Sequence, residues 1–394
     1  MTLSDKSKVR TKSKFNIKDW FRFTEKGARM DMPMLIITLI LLAFGLVMLY
    51  SASYVYGIYR FKGDALHYIK DQAMFAAIGL VAMFAASKVD YHVFRRYAVM
   101  LLGLVYILLV VVLFMPEFNG CHRWIVIPNV GTFQPSEIAK FAVILLFANM
   151  IEKNYDKMKT VTYGIVPFAA VLGSIVVLMF FQPHLSGIVI ICAVGGIMMF
   201  IGGTDTKWFF LAAGILVVGI IAALIIWPDA IHYASSRIEN WLHPENDLSA
   251  AGYQSYMGRL AIGSGGLFGL GLGNSRQTHL HLPEGQNDFI FAIICEELGF
   301  IGGMMVIVLF LALFARGIYI ATHAKDKFGA MLVMGIIIQI CLQAFLNIAV
   351  ATGTIPNTGI SLPFFSEGGT ALMMILGEMG IVLSVSRYAN LDRG

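Results

Sequence analysis

Charge is scarce in this chain. Of 394 residues only 13% are Asp, Glu, Lys or Arg, while 58% are hydrophobic and mean hydropathy is +0.75. A soluble domain carries roughly a quarter charged residues, so an ordinary water-soluble fold is excluded. Cysteine is equally sparse: Cys192, Cys295 and Cys341 fall inside apolar runs, and Cys121 has no obvious partner in a loop. That pattern supports neither a disulfide framework nor a thiolate metal site. The first 32 residues are basic and polar with no apolar run, so no cleavable signal peptide is expected. The glycines at 263, 265, 266, 269, 271 and 273 have no preceding strand and no following Gly-Lys-Ser/Thr, which excludes a nucleotide phosphate loop. They are expected to let a re-entrant or interfacial helix pack closely.

Long apolar sequence is what the chain has in quantity. Repeated runs near 20 residues match ~30 Å of hydrocarbon, and only helices or closed barrels satisfy their backbone there. The periodicity predicts an all-α polytopic membrane protein with about ten helices, near 33–54, 72–87, 97–115, 137–151, 161–181, 185–203, 208–227, 288–315, 328–351 and 366–386. Most of the 29 Lys and Arg residues lie in the N-terminal tail, the C-terminal tail and alternate loops. The positive-inside rule then puts both termini in the cytoplasm. Residues 1–32 form a basic cytoplasmic tail whose 6–14 stretch is attracted to anionic membrane lipid, and no nucleic-acid role is expected. Residues 33–390 form one membrane domain with outer loops at 116–136, 228–287 and 352–365.

Two conspicuous polar features meet at 281–299, H-L-P-E-G-Q-N-D-F-I-F-A-I-I-C-E-E-L-G. Asp288 falls where a polar segment ends and an apolar helix starts. A carboxylate at that rim is a functional candidate; the bland alternative is that it N-caps the helix. Glu296 and Glu297, two to three turns further, are costly in lipid unless partnered. They read as structural intramembrane carboxylates, one of them pairing with a cation such as Lys140. The His279 and His281 pair with Glu284 and Asp288 is the set that would hold a divalent cation (Mg or Mn), although such a pair on a loop is usually coincidental.

Several long motifs resemble one family. They are N-G-C-H-R-W at 119–124, Q-P-S-E-I-A-K at 134–140, G-Y-Q-S-Y-M-G-R-L-A-I-G-S-G-G-L-F-G-L-G-L-G-N-S-R at 252–276, L-P-E followed by D-F-I-F-A-I-I at 282–294, and T-G-T-I-P-N-T-G-I-S-L-P-F-F-S at 352–366. In this order they resemble the SEDS proteins (shape, elongation, division and sporulation), the group of FtsW, RodA and SpoVE. The resemblance implies a ten-helix peptidoglycan glycosyltransferase of the bacterial cytoplasmic membrane. It would polymerise lipid II onto an undecaprenyl-pyrophosphate-linked glycan on the outer face, beside a class B penicillin-binding protein that supplies cross-linking. The family's essential aspartate falls on Asp288. Within the same motifs Trp124, Tyr253, Gln254, Glu284 and Ser366 are expected substrate contacts, and Glu137 a structural carboxylate. Five positions depart from the usual pattern. His184 replaces an Asp, Glu367 replaces a Tyr, Glu378 stands in a stretch that is commonly uncharged, and Gln286-Asn287 precede the aspartate where His-Thr is frequent.

The chemistry such a reaction needs can be assigned to residue types. A base must take a proton from an acceptor hydroxyl, the role expected of Asp288. The leaving pyrophosphate needs cations, for which Arg123, Arg237, Arg259, Arg276 and Lys140 are the candidates. For each Arg, lipid snorkelling is an equal reading; Trp124 and Trp241 could stack on sugar, although a Trp at this depth is more often an interfacial anchor. Glu367 and Glu378, eleven residues apart, are expected on one face of the last helix, in packing rather than catalysis. Two other functions stay open: a lipid II flippase, which needs polar groups through the full membrane depth, and a catalytically weak scaffold of the division machinery.

Overall fold

The computed structural model describes residues 30–116, 123–127, 131–182, 184–226, 239, 241–245, 250–279 and 282–391. The helices are α1 (Met32–Arg60), α2 (His67–Lys88), α3 (His92–Val112), α4 (Pro135–Asn154), α5 (Val161–Gly164), α6 (Val166–Phe180), α7 (Leu185–Ile201), α8 (Thr206–Ile226), α9 (Ala250–Ser264), α10 (Ile290–Thr322), α11 (Lys327–Ala351) and α12 (Gly369–Tyr388). Among the described residues seven spans are long and apolar enough to cross a membrane, with α7 a shorter apolar helix. The expected spans all appear as helices, most of them within a few residues of the boundaries read from hydropathy. The all-α polytopic class therefore stands. The one sheet among the described residues is a hairpin, β1 (Ile125–Ile127) against β2 (Gly131–Phe133), with Val126 opposite Thr132.

Local chemistry sets several ends. Asp31 N-caps α1 by accepting from the Met34 N–H at 2.8 Å, and Asp326 N-caps α11 by accepting from Gly329 N–H at 2.7 Å. Pro135 starts α4, where its missing N–H costs nothing. Asp31 also receives the Arg316 guanidinium from the far end of α10, at 2.5 Å, and its N–H donates to Ser386 of α12 at 3.1 Å. The start of α1 and the ends of α10 and α12 therefore meet at one end of the bundle. Inside it, α11 and α12 are the most enclosed spans. α12 lies so close to α2 that a Cβ on Gly380 would stand 2.4 Å from the Met83 carbonyl oxygen.

α10 is not continuous. Gly299 takes φ 67° and ψ −165° in its interior. The break frees carbonyls and amides at a depth where water cannot serve them. The glycine segment after α9 supplies four partners across it. Leu270 N–H donates to the Glu296 carbonyl (3.0 Å) and Gly271 N–H to the Glu297 carbonyl (2.9 Å), while the Phe300 N–H donates to Gly266 O (2.9 Å) and the Ile301 N–H to Leu267 O (3.3 Å). Only glycine allows this approach: a Cβ at Gly269 (φ 80°) would lie 2.1 Å from the Glu297 carbonyl oxygen. The expected close packing of these glycines is thus present as a stitch across a broken helix rather than as helix on helix.

The carboxylates at the break face the same segment. Glu296 accepts from Ser275 Oγ (2.5 Å) and from the N–H of Arg276 (3.0 Å), and Ser51 of α1 donates to Glu297 (2.7 Å). The expected pairing of either with Lys140 is not made, because these hydroxyl and amide donors already occupy them; Lys140 pairs within its own helix instead. We expect Gly269→Ala to lower stability by more than about 2 kcal/mol, since strain at positive φ adds to backbone overlap. The fall in melting temperature of the detergent-solubilised protein measures it, and an unchanged melt would refute the stitch.

Candidate functional site

The end of the bundle away from the Asp31–Arg316 pair holds a cavity of about 420 Å³, within the ~300–1,000 Å³ usual for ligand sites. Seven parts of the chain wall it: the start of α2, the β-hairpin, the first turns of α4 and of α7, the turn carrying Asp288, Gln343 of α11, and the segment from Gly359 into α12. The hairpin is held over it from two sides. Arg123 Nε donates to the Gln182 carbonyl at 3.3 Å, and Thr370 Oγ1 of α12 donates to the Thr132 carbonyl at 3.2 Å.

Asp288 lines this cavity, half-buried, in the turn just before α10. The position that caps α10 is Phe289, and no side chain makes the cap bond. Asp288 is therefore not spent on capping. Its main chain, in contrast, is clamped residue by residue. The carbonyl of Gln286 accepts from Glu367 N–H at 3.1 Å, that of Asn287 from Ser366 Oγ at 2.5 Å, and that of Asp288 from Asn347 Nδ2 at 2.8 Å. Burial pushes the Asp288 carboxyl up to about 6; the Glu284 charge adds to this and Arg123 opposes it.

One wall is basic. Lys140 lies 2.8 Å from Glu137 one turn earlier on α4 and donates to Gln343 Oε1 of α11 at 3.0 Å. Both charges are nearly fully enclosed, so each is the condition for the other's burial. Arg123 and Trp124 complete this wall. His184 is buried beside them and held neutral, its pKa pushed down to about 3 by burial and by the Arg123 and Lys140 charges. The opposite wall is acidic. Asp71 and Glu367 stand there, and burial, reinforced by Glu284 and Asp71 and opposed by Arg60, raises the Glu367 carboxyl to about 7.

The remaining expected contacts lie outside this wall. Arg259 donates to the Trp241 carbonyl at 2.8 Å, while the Trp241 indole donates to the Gly353 carbonyl at 2.8 Å, so both secure the 352–354 loop. Gln254 on α9 donates to the Pro283 carbonyl (3.2 Å), with Tyr253 half-buried next to it. Arg276 is exposed, and Ser366 serves as the latch on Asn287. Glu284 borders the Asp288 turn, and Arg237 lies outside the described residues. Among the described residues no group of three or more His, Cys, Asp and Glu is placed to hold a metal ion; His279 is exposed and His281 lies outside them. Glu378 is absent from the cavity wall: it accepts from Gln339 Nε2 at 3.1 Å deep between α11 and α12, whereas Glu367 precedes α12. The two are therefore not on one helical face. Sequence reading missed Gln72, which donates to the Ser366 carbonyl (3.1 Å), and Gln343. The available signal was a polar amide inside an otherwise apolar helix.

A polytopic helical membrane protein with a charged cavity at one end of its bundle is the class that this fold defines. A family model described as cell cycle protein, covering FtsW, RodA and SpoVE, matches residues 32–391. The chain belongs to that family. It is 40% identical over 372 residues to stage V sporulation protein E of Bacillus subtilis, covering 93% of this chain and 99% of the relative. It is 39% identical over 361 residues to a probable peptidoglycan glycosyltransferase FtsW of a Geobacter species, covering 90% and 96%. Among solved structures it resembles a chain from a peptidoglycan synthase complex that coordinates polymerization and crosslinking (TM-score 0.76, 26% identity, 92% and 99% covered). It also resembles the rod shape determining protein RodA of Thermus thermophilus (TM-score 0.67, 25% identity, 92% and 98% covered).

We expect a protonated-carboxyl band in difference infrared spectra that titrates with a midpoint of about 6 and is lost in Asp288→Asn. Because the folded pKa is raised, the ionised form grows as pH rises through 6, and the neutral form dominates at pH 5. A midpoint below 4.5 would contradict the buried site.

Proposed function

We propose that this chain is a peptidoglycan glycosyltransferase, working at the outer face of the cytoplasmic membrane with Asp288 as its base. The observation that carries the reading is a carboxylate whose backbone is fixed by three carbonyl clamps, in one cavity with Arg123 and Lys140. Relatives of nearly equal length that are named for this activity support it. A synthetic enzyme facing away from the cytoplasm has no supply of nucleotide sugars. Its donor must arrive through the bilayer, and a sugar on a lipid pyrophosphate meets that demand.

The growing lipid-linked glycan is the donor and lipid II the acceptor. Asp288 takes the proton of the acceptor 4-hydroxyl as its oxygen attacks the anomeric carbon of the donor. The bond from that carbon to the phosphate oxygen breaks, and undecaprenyl pyrophosphate leaves with the electron pair. One displacement at an α-linked donor gives a β-1,4 linkage, so a single base suffices and no covalent enzyme intermediate forms. A carboxylate with a pKa near 6 is largely ionised at neutral pH yet basic enough to accept a proton. Arg123 and Lys140 receive the charge that develops on the leaving pyrophosphate, where donors already in place need no reorganisation. Cross-linking falls to a separate transpeptidase, a class B penicillin-binding protein, seated beside this chain in the membrane.

A flippase would need a wetted polar route through the bundle. Below Lys140 the polar groups, Gln339 and Glu378, are buried against one another, which favours the enzyme. We expect Asp288→Asn to lower glycan polymerisation from labelled lipid II by roughly 10²–10⁴-fold with an unchanged melt; near wild-type rates would remove Asp288 as the base. Arg123→Ala should raise the half-saturating lipid II concentration by about tenfold or more, whereas Arg259→Ala should lower the melting temperature through the loop it secures. Unaltered saturation in Arg123→Ala would remove it from the pyrophosphate site.

A further inference from the structure

Glu284 stands apart from every other acidic residue in the described chain. It is one of three non-glycine residues with positive φ (53°), a backbone state that side chains with a Cβ seldom hold without compensation. Beside the backbone bond from the Asn287 N–H to its carbonyl (2.9 Å), two side-chain contacts hold it there. Asn287 Nδ2 donates to Glu284 Oε2 at 2.6 Å, and Arg60, in the last turn of α1, places Nη1 3.7 Å from Glu284 Oε1. Asn287 is also the residue whose carbonyl receives Ser366 Oγ. The strained turn therefore holds the neighbour of Asp288 by its side chain, while the Ser366 latch holds it by its carbonyl. We infer that Glu284 is a positioning residue of the transfer reaction, one that holds the Asp288 turn through Asn287 and sets the charge environment in which Asp288 takes its proton.

The inference rests on Asp288 being the base. Charged and titratable groups facing Asp288 come from every wall: Glu284 on its own turn, Arg123 from the hairpin, Asp71 from α2, Glu137 and Lys140 from α4, His184 before α7 and Glu367 before α12. Of the carboxylates, Glu284 is the one whose charge raises Asp288, and it raises Glu367 as well. Arg60 bears on this through Glu284, whose carboxylate its guanidinium faces at 3.7 Å.

The two contributions separate by substitution. Glu284→Gln keeps an amide oxygen for Asn287 and removes only the charge; Glu284→Ala removes both. With purified protein and labelled lipid II, polymerisation is followed from pH 5 to 8.5. Glu284→Gln should keep the plateau rate at high pH within about threefold and move the acid limb to lower pH by roughly half a unit or more. Glu284→Ala should lose tenfold or more at every pH, because the turn loosens. The same Gln shift in a Glu367→Gln background assigns it to Asp288. An acid limb that superimposes on wild type would overturn the inference. So would a Glu284→Gln protein that is inactive at all pH with an unchanged melt, since Glu284 would then touch substrate. Full polymerisation by Asp288→Asn, by contrast, would sink the base assignment itself, whatever Glu284 does.

Discussion

The rest of this structure depends on one constraint: inside hydrocarbon a helix cannot be broken unless its freed backbone groups find partners in protein. α10 is broken at Gly299, and four hydrogen bonds from the 266–271 segment close the gap. The same segment continues to Ser275, Arg276 and Gln277, which the Glu296 carboxylate gathers. The break thus anchors the long connection between α9 and α10 at its midpoint. From there the chain has only the 278–287 stretch in which to reach the start of α10. That short tether brings the Pro283–Asp288 turn against the mouth of the bundle. Position at the site is set two turns down the helix, by interactions that touch no substrate.

The second constraint is charge in a low-dielectric interior, where unpartnered ions are not tolerated. α11 answers it with amides. Gln339, Gln343 and Asn347 are spaced by four, so they form one stripe along the helix. Each meets a different demand. Gln339 meets Glu378, Gln343 meets Lys140 and the Ser361 carbonyl, and Asn347 meets the carbonyls of Asp288 and Ile360. An amide both donates and accepts, so it can serve an acid, an ammonium or a carbonyl without introducing a charge of its own. The stripe ties the Lys140–Glu137 pair of α4 to the Asp288 turn through a single rigid helix.

Much of the fold was legible because hydropathy reports burial in lipid directly: ten runs became helical spans, with ends near capping residues and prolines. The break in α10 was not legible. Leu298-Gly299-Phe300 reads as ordinary apolar helix, since glycine is common in membrane helices and periodicity does not register a single residue at positive φ. The cavity was half legible. Asp288 and Lys140 stand out as charged residues near the starts of helices and Arg123-Trp124 as a cation beside an aromatic in an outer loop, and the structure gathers all four. Arg259 and Arg276 have the same sequence character but point elsewhere, because the fate of a loop arginine depends on which carbonyls or carboxylates the tertiary fold brings to it. The Glu296 and Glu297 partners could not be foreseen for that reason. Backbone amides and serine hydroxyls carry no periodic signature, so the one conspicuous cation, Lys140, drew an assignment that the fold gives to Glu137.

The departures at His184 and Glu367 bear on the electrostatics of the same cavity. An acidic side chain at 184 would add a negative charge beside Arg123 and Lys140; the imidazole there is neutral and adds none. Glu367 stands across the cavity with its carboxyl pushed up to about 7 by burial, so its charge is only partly expressed at neutral pH. The basic wall, already balanced in part by Glu137, therefore gains no further anion at 184. On the proposed function, a polyanionic headgroup would be drawn to the Arg123–Lys140 side, away from Asp288's own charge. The neutral groups of the reacting sugars would occupy the space between. On that reading the separation would let one small cavity hold a base and a leaving-group site without the two neutralising each other.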